Sequence, residues 1–167
     1  MSELPTIRPA RPEDGAAISD LHARAMGPGR FARTAYRVRE TAGVGFSPFC
    51  RVMVMGDRLV AAVRFTPVSI GGKAGALLLG PLAVEPALAN RGYGRGLVAA
   101  ALDDARAAGM ALIVLVGDEP YYARLGFRRV PRGQIVLPGP VDPDRLLALE
   151  LSPGALEAYS GALTARR

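Results

Sequence analysis

The stretch Leu77–Leu97, LLLGPLAVEPALANRGYGRGL, limits the fold of this chain more than any other. Leu77 to Val84 is apolar at odd and even positions alike, the pattern of a central strand covered on both faces. Gly80-Pro81 lies inside that run. Proline has no N–H to give to a ladder, so the pair predicts a bulge or a place where a neighbouring strand peels away. Glu85-Pro86 ends the strand. Arg91-Gly92-Tyr93-Gly94-Arg95-Gly96 follows, and then Leu97, Val98, Ala101, Leu102 and Ala105 recur along one side of a helix. The glycines let the backbone approach a ligand, and the first N–H groups of the helix point at it. With the helix dipole and two arginines beside it, the turn reads as a phosphate cradle. A strand that splays and an anion-binding turn at its end make one cleft.

A second block, Gly117-Asp118-Glu119-Pro120-Tyr121-Tyr122-Ala123-Arg124-Leu125-Gly126-Phe127, follows the next apolar strand, Ala111–Val116. Strand, helix, strand in this order predicts a parallel pair with a right-handed crossover. The two blocks together resemble those of the GCN5-related N-acetyltransferases, the GNAT superfamily. Arg91–Gly96 fits Q/R-x-x-G-x-G/A, Tyr122–Phe127 fits Y-x-x-x-G-F, and the G-D-x-x-Y-Y form is similar to the YhbS-like bacterial branch. The resemblance runs from Ile7-Arg8-Pro9-Ala10 to Gly161. It implies an α+β fold, an α/β/α sandwich on a mixed, mostly antiparallel twisted sheet with a central splayed parallel strand pair and helices on both faces. It also implies acetyl-CoA as co-substrate, a small-molecule or peptide amine as acceptor, and a homodimer as a common assembly of such folds. The coenzyme would lie along Leu82, Ala83 and Val84 and over Arg91, Gly92, Tyr93, Gly94, Arg95 and Gly96, with Tyr122 facing its sulfur.

Length and composition set bounds on the rest. At 167 residues, with no internal repeat or low-complexity segment, the chain reads as one domain, 1–167. No apolar run approaches the ~20 residues of a membrane span, and MSELPTIRPARPED has no apolar signal region, so a cytoplasmic location is expected. The single Cys50 excludes an internal disulfide and a multi-cysteine metal site, and no metal is implied. The net charge of +6 is almost wholly arginine, because Lys73 is the only lysine. Those arginines form no basic run or helix face, which argues against nucleic acid, and a positive body repels a polycationic acceptor.

In chain order, Thr6–Ala10 is a first strand. Arg11-Pro12-Glu13-Asp14 starts a helix with Ala17, Ile18, Leu21 and Ala25 on one face. Gly27-Pro28-Gly29 breaks it, and a second helix is expected from Phe31 or Ala32 to about Thr41. By the resemblance these helices rim the acceptor side, so Phe31, Tyr36 and Arg37 are acceptor-contact candidates, with plain packing of the hairpin as the competing reading. His22 beside Ile18 and Met26 reads as a packed histidine. Val52–Met55 and Leu59–Phe65 form a hairpin through Gly56-Asp57, continued irregularly around Pro67 and turned by Gly71-Gly72. Gly109 stops the helix that Gly96 opens, and Asp118 caps a short helix. Phe127–Val130 and Leu146–Leu151 read as closing strands. Pro131–Asp144 is an irregular excursion with one extended piece at Gln134–Leu137, and the tail from Ser152 is anchored by Leu156 and Tyr159.

Two other classes compete. Gly94-x-Gly96-x-x-Ala99 satisfies a loose dinucleotide-binding fingerprint, with Asp118 at about the distance of a ribose-binding acid. In that fold, however, the first glycine follows its strand almost directly, and here Glu85 to Arg91 intervenes. A P-loop is excluded because no Gly-Lys-Ser/Thr follows. A non-catalytic acyl-CoA-binding module differs from an enzyme by lacking a proton-transfer residue at the thioester, and Tyr122 supplies one. Amide formation needs a neutral amine, a stabilised oxyanion and a protonated leaving thiolate. The N–H groups of Leu82 and Val84, freed at the splay, are expected to hold the pantetheine and polarise the carbonyl. Glu85, expected to point to solvent, and a water chain are equal candidates for the base. Glu119 reads as a first-turn residue complementing the dipole, and Cys50 as a packing residue.

Overall fold

The computed structural model describes residues 4–26 and 46–166. The expected break at Gly27-Pro28-Gly29, the second helix, and Phe31, Tyr36 and Arg37 lie outside the described residues. Thr6–Pro9 (β1) leads through a 3-10 turn into Gly15–Met26 (α1). Arg51–Met55 (β2), Arg58–Ile70 (β3) and Lys73–Val84 (β4) form an antiparallel meander, with turns at Gly56-Asp57 and Gly71-Gly72. Tyr93–Ala107 (α2) crosses to Leu112–Val116 (β5). Then come Glu119–Ala123 (α3), Arg128–Arg129 (β6), Ile135–Val136 (β7), Leu146–Glu150 (β8) and Gly161–Ala165 (β9). The sheet order is β1-β2-β3-β4-β5-β8-β6, with β9 beside the far half of β3 and β7 beside β9. Its long ladders are antiparallel apart from β4–β5, the expected parallel pair.

β3 runs through Pro67 in register with Leu77, and the irregularity expected over Thr66–Ile70 falls just after it, as a register shift between Val68 and Ile70. The reason lies in the ladder. The Pro67 carbonyl accepts from the Arg166 N–H, so the backbone polar side of Pro67 faces the outer edge and the missing donor removes nothing from the β3–β4 ladder. β9 was not foreseen. Its sequence, GALTA, carries one large apolar residue, Leu163, which is buried against Val68, Ile70 and Tyr159. The first closing strand shortens to Arg128–Arg129.

Side chains alternate across the sheet. Val63, Phe65, Leu77, Leu79, Ile113 and Leu115 meet the apolar stripe of α2, Leu97, Val98, Ala101, Leu102 and Ala105. The opposite face is shared. α1 covers Val52, Ala62 and Ala83 with Ile18 and Leu21, and the C-terminal segments cover Ala76, Leu78, Leu112 and Val114. The helices therefore lie on both faces.

Two arginines fasten the ends. Arg51, 9% exposed, donates from Nη2 (2.7 Å) and Nε (3.2 Å) to Asp104 of α2. Arg8 grips the Asp14 carboxylate with two bonds of 2.8 Å, and Asp14 also accepts from the Arg11 N–H at 2.7 Å. These donors, Arg8 first, hold the Asp14 carboxyl below its usual value against the opposing effect of burial. A depressed folded-state pKa contributes stability above the unfolded pKa, about 4, that is lost as pH falls through the lower folded value. Asp14→Ala is expected to cost ~1–3 kcal/mol at neutral pH, or roughly 2–10 °C in Tm. The gap to the unsubstituted protein should narrow below about pH 4; thermal melts at pH 7 and pH 3 measure it, and an equal gap at both would contradict the ion-pair account.

Candidate active site

β4 and β5 pair only where Ala76–Leu78 faces Leu112–Val114. On the other side of β4 the register with β3 shifts between Phe65↔Leu79 and Val63↔Leu82, so Gly80 and Pro81 stand opposite Arg64 alone. That is the bulge, and β4 leaves β5 at it. Beyond it the Glu85 N–H donates to the Val60 carbonyl at 2.7 Å. Antiparallel alternation then makes Ala62↔Ala83 a hydrogen-bonded pair and Ala61↔Val84 and Val63↔Leu82 open pairs. The backbone N–H and C=O of Leu82 and Val84 face away from β3, into the gap that β5 no longer fills. Ala83 turns its N–H to β3, and its methyl is buried beside Ile18 and Leu21 of α1.

The gap ends at the first turn of α2. Gly92 caps that helix in the left-handed conformation (φ +83°) and has no side chain to cap the first N–H groups. Arg95 folds back, its Nη2 3.6 Å from where a Cβ on Gly92 would stand. Arg91 and Gly96 are exposed, Tyr93 half-buried. Gly94 is buried: a Cβ there would lie 3.3 Å from Val84 Cγ2 and 2.7 Å from Tyr121 Oη. The Tyr121 hydroxyl thus reaches from the second block onto the first. Burial raises its pKa, with a smaller opposing effect from Arg95, so it stays protonated at neutral pH.

α3 positions the tyrosine pair. The Tyr122 N–H donates to the Asp118 carbonyl, and the Tyr122 carbonyl accepts from the N–H groups of Leu125 and Phe127. The Tyr122 ring lies on Gly117, where a Cβ would come within 2.7 Å of Cε2. It meets Phe127 edge-on at 5.6 Å and Tyr121 at 4.9 Å. Asp118 sits at the cap position, as expected, but its side chain makes no cap bond; Oδ1 accepts from Arg145 Nη2 at 3.3 Å. Glu119 is in the first turn and pairs with Arg129.

The resulting cleft holds about 580 Å³. Leu79–Leu82 forms one wall and Val116–Asp118 the other, with both tyrosines alongside. Two expectations change here. Glu85 does not point to solvent: its side chain is 12% exposed and accepts from Arg24 of α1 at 2.8 Å. The Pro131–Asp144 excursion is not a bystander, because Leu137, Pro140, Val141 and Asp142, with Arg145 just beyond, line the cleft. No local signal marks these residues; they arrive because β8 pairs β5 and the chain must cross the end of β5 to reach it. Cys50 is buried with its Sγ against the backbone of Phe65, a packing position as expected.

Residues 48–129 match the acetyltransferase (GNAT) domain family, and the whole chain superposes on solved members. The chain carries a GNAT acetyltransferase domain. It is similar to the GNAT family N-acetyltransferase YhbS of Escherichia coli, solved in complex with CoA, at 25% identity and a TM-score of 0.84 over 99% of this chain and 92% of that one. A GNAT family acetyltransferase from Brucella melitensis, solved with acetyl-CoA, is 26% identical with a TM-score of 0.72 over 98% and 97%. The ribosomal-protein-S18-alanine N-acetyltransferase of E. coli shares the fold at 19% identity, with a TM-score of 0.64 over 89% and 95%. No curated protein matches the chain significantly.

In this GNAT chain the meeting of Gly94 with Tyr121 is directly testable. Ala is the better helix residue by up to ~1 kcal/mol, yet its methyl would stand 2.7 Å from Tyr121 Oη. Gly94→Ala is expected to lose ~1–3 kcal/mol, the scale of overpacking. The loss should shrink when Tyr121→Phe removes the contacted oxygen, a coupling read from urea melts of the four variants. A Gly94→Ala protein at least as stable as the parent in both backgrounds would contradict the packing described.

Proposed function

We propose that this chain is an acetyl-CoA-dependent N-acetyltransferase that transfers acetyl directly to an amine without a covalent enzyme intermediate. The carrying observation is the pair of backbone N–H groups at Leu82 and Val84, turned into a gap between two strands of a sheet covered on both faces. Buried backbone donors are almost always satisfied, and an extended chain with amide groups, such as pantetheine, satisfies them as a missing strand would. The uncapped α2 N-terminus at the end of the same gap, with Arg91 and Arg95 beside it, suits the phosphates. Gly94, whose Cβ position is taken by Tyr121 Oη and Val84, lets the first turn of α2 sit directly on the end of the gap. The related YhbS and Brucella structures contain CoA and acetyl-CoA.

Acetyl-CoA supplies an acyl carbon activated as a thioester. The chain's own residues do the rest. Leu82 and Val84 N–H groups orient the pantetheine and the thioester carbonyl, and holding both reactants in one cleft replaces a bimolecular encounter by a local one. Tyr122 is assigned as the acid that protonates the departing sulfur, a task for which a phenolic O–H is a suitable donor. With Glu85 tied to Arg24, the amine proton leaves through water in the open cleft. The dinucleotide reading has less support, because a 3-10 turn at Pro86–Leu88 separates the strand from the glycines.

Acetyl-CoA at about 100 times its Kd is expected to add ~2.7 kcal/mol, a rise in Tm of roughly 5–10 °C. A shift with NAD and none with CoA or acetyl-CoA would reverse the assignment. Tyr122→Phe keeps the ring packed on Gly117 and Phe127 and removes only the hydroxyl. If that hydroxyl delivers the proton, kcat should fall by ~10²-fold or more, with Tm and acetyl-CoA affinity little changed. Unaltered turnover under chemistry-limited conditions would remove Tyr122 from the mechanism and leave a binding role for the cleft.

A further inference from the structure

Past the tyrosines the cleft has a mouth where the exposed Asp118 and Arg145 border residues of the sheet face away from α2. Leu78, whose side chain belongs to that opposite face, and Leu137 and Val141 from the loop before β8 give it apolar walls. Its rim carries opposite charges side by side, Asp118 after β5 and Arg145 before β8. Their contact is loose. A single Arg145 Nη2 lies 3.3 Å from Asp118 Oδ1, longer than the 2.7–2.9 Å usual for a charge-assisted bond, and the second Asp118 oxygen takes no part. Both side chains are half or more exposed, 51% and 78%, so the pair contributes little to folding. Pairs with a buried partner are drawn tighter, Arg8–Asp14 bidentate at 2.8 Å and Arg51–Asp104 at 2.7 Å, whereas the exposed Arg106–Asp103 and Arg132–Asp144 stand at 3.5 and 3.2 Å. Arg145 is nonetheless aimed, since its Nε donates to the Gly117 carbonyl at the floor of the cleft (3.4 Å) and its own carbonyl accepts from the Gly117 N–H at 2.9 Å. The rim is a positioned guanidinium and carboxylate held apart by little.

We propose that this mouth selects the acceptor, and that the acceptor is a free α-amino acid with an aliphatic side chain. The inference rests on the N-acetyltransferase reading above. A zwitterion divides the Asp118–Arg145 pair between its own charges: its ammonium is drawn by Asp118, its carboxylate takes the planar donors of Arg145, and its side chain covers the walls of Leu137 and Val141. A simple amine satisfies only Asp118. A polycation gains nothing from Arg145 and meets a chain of net charge +6. The step balances: the neutral amine nitrogen bonds to the thioester carbonyl carbon, the C–S bond breaks, and the proton lost from nitrogen is matched by the one gained at the CoA sulfur. The products are an N-acetyl amino acid and CoA.

The test is CoA release from acetyl-CoA by the full chain with L-leucine, L-valine and L-methionine, each beside its amide and its decarboxylated amine. The free acids should be turned over at least tenfold more efficiently in kcat/KM than amides or amines. Arg145→Gln should raise KM for the acids tenfold or more and bring acid and amide close to parity, while Asp118→Asn should raise KM for all three classes. Melts of each variant with and without acetyl-CoA report folding and coenzyme binding, and the unsubstituted chain alone tests the acid-over-amide preference if a variant fails to fold. Amides or amines used as well as acids, or an Arg145→Gln protein with unchanged KM for the acids, would overturn the proposal. So would acetyl-CoA binding with no turnover of any free acid, which leaves the acetyltransferase reading standing; absence of acetyl-CoA binding would bring down both.

Discussion

Pro81 has no N–H, and with Gly80 it places two residues of β4 opposite the single residue Arg64. That one local mismatch bends β4 out of its ladder with β5 after Leu78, in the middle of a sheet whose two faces are both covered. Backbone polar groups opened at such a place are expensive to leave unmet, ~1–3 kcal/mol each. On a sheet edge water would meet them. Between two central strands they form a lined slot, and the slot is the feature to which the tyrosines, the glycine turn and the β7–β8 loop are all fitted.

A slot of this kind has a use only if its walls stay apart by a fixed amount, and the packing explains why they do. β3 pairs with β4 on both sides of the bulge, so the strand is bent without being released. α2 is seated on the sheet by five apolar side chains from Leu97 to Ala105, and Arg51 ties its last turn to β2 through Asp104. The far end of β4 is held from the other face, where Arg24 of α1 grips Glu85. The first turn of α2 therefore comes to rest at the end of the slot by way of three separate attachments, none of which involves the glycines themselves.

The parts of this arrangement that depend on neighbours in sequence could be read before the structure was known. Apolar residues at every position from Leu77 to Val84 mean a doubly covered strand, Gly80-Pro81 means a lost ladder bond, and a glycine turn ahead of an apolar stripe means an open helix start. What could not be read depends on partners far along the chain. Glu85 turns inward because Arg24, on a helix 61 residues earlier, meets it. β9 exists because the edge of β3 beyond Val68 is free to receive GALTA, a sequence with little strand preference of its own. Pro67 stays within a strand because its missing N–H falls on the edge away from β4, which depends on pairing parity and not on composition. The Leu137–Arg145 wall follows from strand order alone.

The two sequence blocks also turn out to be one packing unit. Gly94 of the first leaves the space that Tyr121 Oη occupies, and Gly117 of the second leaves the space on which the Tyr122 ring rests. Adjacent residues on a helix point about 100° apart, so two consecutive tyrosines on α3 address two different glycines without competing. One hydroxyl reaches the α2 N-terminus beside Arg95, where the field favours anions. The other ring stays against Phe127, under the short helix that its own carbonyl helps to close. A side chain at either glycine would push one ring into the slot and narrow it for anything bound there. The glycine-rich turn and the tyrosine helix, 23 residues apart from Gly94 to Gly117, are thus joined by volume: each glycine is small because a particular ring of the second block is large.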